Sequence, residues 1–146
     1  MYDFLPSDHT ALSTDKSLQQ FLTKDGALYM VLNRPEVYNA FNGELIENIL
    51  EVLEEAAEND SVRLLILTGS GKNFCAGGDI NYMRSLGTNS FEENKEDALQ
   101  MAYLMQALNE FPKPTIARVN GAAYGGGVGL LCCCDMAFGT ENTKVC

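Results

Sequence analysis

The spacing of apolar residues changes period several times along the chain, and each change marks an element. Leu45, Ile46, Ile49, Leu50, Leu53, Ala56 and Ala57 recur three and four apart, with Glu44, Glu47, Glu51, Glu54, Glu55 and Glu58 mostly on the other face. That is the pattern of an amphipathic helix with a solvated acidic side. Asn42 stands where an N-cap belongs, and Asn59, Asp60 and Ser61 end the pattern. Upstream, residues 18–24 and 27–33 read as two strands. Asp25-Gly26 between them is a hairpin signal, because both residues tolerate positive φ. Arg34-Pro35 breaks the second strand and leaves residues 36–41 as a loop. Residues 62–68 are apolar almost without interruption, as in a strand buried on both faces. Residues 80–86 suit a short helix, and a long one runs from about Phe91 to Phe111. Two faces compete for its interior side: Ala98, Ala102, Met105 and Leu108, or Leu99, Tyr103, Gln106 and Glu110.

Pro112 and Pro114 make a rigid connector into a β-branched run, Thr115, Ile116 and Val119. Gly121 ends that strand, three glycines follow at Gly125, Gly126 and Gly127, and residues 128–134 form an apolar helix expected to be buried on most sides. A short strand at 136–138 and the start of another at Lys144 close the pattern. Residues 1–16 are polar and mixed and read as a loose leader ahead of one domain at 17–146. Strands alternate with helices from Ala27 on, which makes the fold class α/β.

Composition narrows the function. The 146 residues, 46% apolar and 21% charged, are enough to bury a real core. A net charge of −10 with no cluster of Lys and Arg argues against nucleic acid and against an anionic membrane surface as partners. No apolar run approaches a membrane span and no signal-peptide pattern opens the chain, so a cytoplasmic location is expected. Cys132, Cys133 and Cys134 are consecutive, so on a helix they point three ways and suit neither a disulfide framework nor a metal knuckle. They are expected to be small buried residues in a reducing compartment. His9 is the single histidine, so no histidine-based dyad and no metal site is expected.

The chemistry that remains is in the glycines. The first turn of a helix after residues 125–127 has free N–H groups and a partial positive charge, and no side chains would stand between those donors and an approaching oxygen. Close packing of the helix on a strand explains the same glycines, and both readings stand open at this point. Residues 69–79, GSGKNFCAGGD, form a second such loop. A phosphate-binding P-loop would need glycine at Ile66 and Ser or Thr at Asn73, and a dinucleotide fingerprint would need glycine at Phe74. All three fail, which leaves exposed backbone at Ala76, Gly77, Gly78 and Asp79.

Three stretches together, LNRPEVYNAFN at 32–42, LTGSGKNFCAGGDI at 67–80 and KPTIARVNGAAYGGGVGLLCCCD at 113–135, resemble the crotonase superfamily, which includes the enoyl-CoA hydratases and isomerases. The resemblance implies a spiral of repeated ββα turns, assembled as a trimer or a dimer of trimers. It implies an acyl-CoA thioester as ligand, with coenzyme A arriving as part of the substrate and no separate cofactor. It maps an oxyanion hole onto the backbone N–H groups of Gly78 and Gly126. It lays the path of the coenzyme A adenine and pantetheine along Glu36, Val37, Asn39 and Ala40 and along Ala76, Asp79, Ile80 and Asn81. Arg34 would assist with a phosphate or serve only as a surface arginine ahead of Pro35.

This sequence departs from the family's pattern at one telling place. Many of the hydratases carry a catalytic glutamate two residues after the triple glycine, and here that residue is Gly129. A second glutamate and the C-terminal turns of the family are not found in the sequence, so residues 17–146 are expected to be the N-terminal part of a crotonase-like domain. Three readings follow. The first is an enoyl-CoA hydratase, a lyase of fatty acid metabolism. The second is another crotonase reaction, double-bond isomerisation or thioester hydrolysis. The third is an inactive, truncated acyl-CoA-binding chain, marginally folded by itself. Asp79 and Asp135 are expected to cap or fix loops and not to act in catalysis.

Overall fold

The structure, a computed structural model, describes residues 2–14 and 17–146. Its main sheet holds β1 (His9–Thr14), β2 (Leu18–Thr23), β3 (Ala27–Leu32), β4 (Leu64–Gly69), β5 (Thr115–Val119) and, beyond the short β6 (Ala122–Ala123), β7 (Met136–Gly139), in the order β1-β2-β3-β4-β5-β7. The first three strands run antiparallel, and from β3 onward every neighbour is parallel. Gly26, with φ +86°, closes the β2–β3 hairpin as the Asp25-Gly26 signal predicts.

Parallel neighbours require a crossover each time. Here every crossover first lays down a short extended piece and then a helix. After β3 the piece is Phe41 and the helix α1 (Gly43–Glu58). After β4 it is residues 75–78, followed by α2 (Ile80–Leu86) and α3 (Phe91–Asn109). After β5 it is β6, followed by α4 (Gly126–Cys133), and after β7 it is β8 (Lys144–Val145). The short pieces pair in sequence, Phe41 with Gly78, Cys75 with Ala123 and Ala122 with Lys144, and build a second, narrow ladder. This is the winding ββα architecture expected for the α/β chain.

Local signals set the helix ends. Asn42 caps α1 through its side chain, and Ser90 with Glu93 forms a reciprocal capping box on α3. The core lies where Met30, Leu32, Leu65, Leu67 and Ala117 meet Leu45, Ile49 and Leu53 of α1 and Leu104 and Leu108 of α3. Of the two faces weighed for α3, Met105 and Leu108 of the first face turn inward while its Ala98 and Ala102 stay exposed, and Leu99 and Tyr103 of the second are exposed. Leu104, in neither set, is fully buried.

Four expectations are corrected. The leader is not loose over residues 2–14: His9–Thr14 is an edge strand on β2, and Tyr2 and Phe4 pack under the sheet. Aromatic contacts hold that segment: Phe4 lies 6.1 Å from Tyr29 and beneath the Arg118 guanidinium at 4.3 Å. Met1, Asp15 and Lys16, also assigned to the leader, lie outside the described residues. Second, β4 is fully covered on its helix side only; Leu64 and Ile66 on the other side are half-buried. Third, α4 packs against α3, β5 and β7 but fully buries only Gly127 and Leu130, leaving Val128 and Leu131 half-buried. Fourth, Cys132 is therefore exposed and Cys133 and Cys134 only half-buried, while Cys75 is the cysteine sealed in the core. Among the described residues no helix is long and apolar enough to cross a membrane.

Candidate active site

Three loops at the same end of the parallel strands, residues 34–41, 69–79 and 120–126, are stitched together by backbone hydrogen bonds. Ala76 N–H donates to the Tyr38 carbonyl at 3.0 Å, Phe41 N–H to Gly77 at 2.9 Å and Asp79 N–H to Phe41 at 2.9 Å. Phe74 N–H donates to Ala122 and Tyr124 N–H to Cys75, each at 2.9 Å. Ligands of parallel α/β sheets gather at this end, outside the carboxyl ends of the strands.

The approach of the second and third loops depends on glycine. A Cβ on Gly77, where φ is +87°, would sit 2.9 Å from the Tyr124 carbonyl oxygen and 3.1 Å from the Gly126 nitrogen. A Cβ on Gly126 would run into the rim of the Phe41 ring. Among the described residues neither the Gly78 nor the Gly126 N–H has an acceptor, although their neighbours at Asp79 and Gly127 do. Gly126 is the first residue of α4, so its donor is one that a helix leaves free. Two adjoining loops thus each carry a backbone donor without an intramolecular acceptor.

A cleft of about 420 Å³, lined by both polar and apolar groups, opens on one side of Gly78. Glu36, Val37 and Ala40 line it from the first loop, Ala76 and Asp79 from the second, and Ile80 and Asn81 from the start of α2. Asn39 is the exception among the residues assigned to this path. Its side chain is fully buried, donating to the Ser70 and Asn73 carbonyls at 2.8 Å each and accepting from the Arg34 N–H at 2.9 Å. Asn39 holds loops together because its short amide satisfies three backbone groups that burial would otherwise leave unpaired. On the other side of Gly78 is an apolar cavity of about 210 Å³ between α1, α2 and α3.

Arg34 is not a free phosphate ligand. Its guanidinium donates to Asp79 Oδ2 at 2.9 Å and to the Ala40 carbonyl. Asp79 in turn caps α2, accepting from the Asn81 and Tyr82 N–H groups. Burial pushes the Asp79 carboxyl upward, but the Arg34 hydrogen bond, the two backbone donors and the Arg34 charge outweigh it and hold the group below the ordinary range. Asp135 is held low as well, by the Thr115 N–H at 2.7 Å and the Thr115 hydroxyl at 2.9 Å. Both aspartates fix structure, as expected. A depressed carboxyl contributes stability that is present above its unfolded pKa, about 3.9, and is lost as pH falls through the lowered folded value. Thermal melts should therefore show Tm dropping steeply below about pH 4, with a shallower fall in Asp79→Asn.

Two residues of the cleft escape sequence reading. Tyr38 adopts φ +56° and exposes 61% of its surface at the mouth, a conformation no local signal announces for tyrosine. Arg84 is the one cation lining the cleft among the described residues. The helical spacing of Ile80, Asn81 and Arg84 is the clue that places it there. Gly129 faces α3: a Cβ there would stand 2.9 Å from the Met105 methyl, the flexible end of that side chain. Burial pushes the Cys75 thiol up to about 11, so it offers no thiolate near neutral pH.

The sequence model described as Enoyl-CoA hydratase/isomerase matches residues 23–145. A crotonyl-CoA hydratase of Syntrophomonas wolfei is 37% identical over 116 residues, covering 79% of this chain and 44% of its own. A 1,2-epoxyphenylacetyl-CoA isomerase of Escherichia coli is 35% identical over 121 residues, covering 82% and 46%. Among solved structures, an enoyl-CoA hydratase from Shewanella pealeana superposes with a TM-score of 0.85 at 43% identity, covering 89% of this chain and 49% of that one. The chain spans about half the length of these relatives.

Proposed function

Since the chain belongs to the enoyl-CoA hydratase/isomerase family, we propose that it binds an acyl-CoA thioester and stabilises the enolate formed from it, with hydration of a conjugated double bond as the reaction. The observation that carries this reading is the pair of unpartnered N–H groups on Gly78 and Gly126, with Gly78 lying between a part-polar cleft and an apolar cavity. Charge builds on the thioester oxygen when water adds β to the carbonyl. Two preset donors lower that barrier, each by about 3 kcal/mol where such donors have been removed elsewhere. The coenzyme A arm takes the cleft, with Arg84 as its phosphate contact, and the acyl group takes the cavity. Coenzyme A belongs to the substrate, and the scheme uses no other cofactor. A homotrimeric or hexameric assembly and a cytoplasmic location complete the proposal.

A second reading, isomerisation or thioester hydrolysis on the same oxyanion hole, is favoured by Gly129. Position 129 carries no carboxylate and faces Met105, so an acid or base must come from another residue. Titration calorimetry with coenzyme A, combined with loss of enoyl-thioester absorbance on crotonyl-CoA, tests the proposal. Binding that weakens in Arg84→Glu together with absorbance loss supports turnover of a bound thioester. Mass spectrometry of the product separates the readings: a thioester heavier by one water supports hydration, an isomer of unchanged mass or free coenzyme A supports the second reading, and no binding overturns both.

A further inference from the structure

Side chains alternate along β5. Ala117 and Val119 enter the core, so Arg118 between them points to the opposite face of the sheet. There its guanidinium lies 4.3 Å from the centre of the Phe4 ring. Arg118 and Phe4 line a cleft of about 300 Å³ together with Tyr2 and Asp3 of the N-terminal segment and Gly71 and Asn120 of the loops that follow β4 and β5. This cleft shares no residue with the cleft or the cavity beside Gly78. Its walls expose polar and apolar surface alike.

Arg118 is half-buried, and arginine keeps its charge at any ordinary pH, so neighbours have to offset its desolvation. Little in the protein does so. Among the described residues no carboxylate forms an ion pair with it, and its side chain makes one hydrogen bond, from Nη1 to the Thr68 hydroxyl, which is long at 3.4 Å. The Phe4 ring offsets part of the charge from one side. Both groups that fix the guanidinium set it at the cleft. Phe4 lines the cleft, and the Thr68 hydroxyl is 3.1 Å from Oδ1 of Asn120, which lines it too. The Asn120 amide is already committed: its nitrogen donates to the Gly71 and Asn73 carbonyls and its oxygen accepts from the Gly69 N–H. The remaining guanidinium N–H groups are therefore the spare donors of the site. Asp3 stands exposed at the same cleft, with no hydrogen bond or ion pair among the described residues.

We propose that this cleft binds a small organic monocarboxylate. A carboxylate accepts from two guanidinium N–H groups at once and supplies the missing counter-charge. The Tyr2 and Phe4 rings, stacked with centroids 5.2 Å apart, give the body of the ligand an apolar wall. Asp3 disfavours a second negative charge, which selects against inorganic phosphate. The volume suits an anion of the size of benzoate, since a cavity of about 150 Å³ holds benzene. This site is separate from the acyl-CoA reading and does not depend on it.

Titration calorimetry with benzoate, its neutral isostere benzamide and inorganic phosphate tests the proposal. Benzoate should bind about tenfold or more tightly than benzamide, the worth of a charge-assisted hydrogen bond, and more tightly than phosphate. Arg118→Gln, checked for folding by circular dichroism, should abolish the preference for benzoate over benzamide. Asp3→Asn, a change at an exposed position, should tighten benzoate by about threefold, the scale of one like charge removed from a solvated cleft. The proposal is overturned if benzoate fails to bind, if benzamide or phosphate equals it, if the preference survives in Arg118→Gln, or if Asp3→Asn leaves benzoate affinity unchanged.

Discussion

Gly126→Val is expected to lower turnover of an enoyl-CoA thioester by about 100- to 1,000-fold, the loss seen when one oxyanion-hole donor is removed from other enzymes. The cause is geometric. The Gly126 N–H persists in valine, since every residue but proline has one. The new Cβ, however, drives into the Phe41 ring, which is itself buried in the core cluster. Either the ring or the loop must move, and a shift of the donor by about 1 Å is enough to cost about 100-fold in rate. Coenzyme A affinity measured on the same variant separates this effect from collapse of the fold, because the cleft lined by Glu36, Ile80 and Arg84 lies on the other side of Gly78. Turnover equal to the parent protein would remove Gly126 from the oxyanion hole.

Arg34→Ala is expected to be the most destabilising change at the site. The Arg34 and Asp79 side chains are only 17% and 9% exposed. Removing one partner leaves a nearly buried carboxylate without its counter-charge, which costs about 3–5 kcal/mol for a well-buried pair. Residual exposure of the arginine places the expectation at the lower end, about 3 kcal/mol. At about 2–4 °C per kcal/mol for a chain near this size, Tm should fall by about 6–12 °C. The Ala40 carbonyl loses its donor at the same time, so the first loop should also loosen. Arg34→Ala melting within 2 °C of the parent would mean that the ion pair contributes little.

Much of this was legible in the residues. Strict alternation of helical and strand periods placed α1 and β3 within a residue or two, and Asn42 and Asp25-Gly26 marked their boundaries by local chemistry alone. The glycine loops were legible as exposed backbone, because a missing side chain is visible in sequence. What could not be read depends on contacts between distant residues. Arg34 and Asp79 are 45 positions apart, and nothing near Arg34 distinguishes an ion-paired arginine from a phosphate ligand. Asn39 sits in a motif where an exposed lining residue and a buried loop clamp look alike. The edge strand His9–Thr14 was missed because its polar composition imitates a leader, and only pairing with β2 makes it a strand. Leu104 escaped both helical stripes because the side facing the core is set by where α1 lies.

The winding order has a consequence for synthesis. A chain leaves the ribosome N-terminus first, and domains form as their residues emerge. Here each loop of the site hangs on the loop made one turn earlier: Ala76 on Tyr38, Tyr124 on Cys75. The larger cleft, built from residues 36–84, can close before the third turn exists. The Gly126 donor arrives later. On the proposed function, a nascent chain would then acquire its grip on coenzyme A before any power over the thioester, and ligand binding would act as a template for the last turn to dock upon.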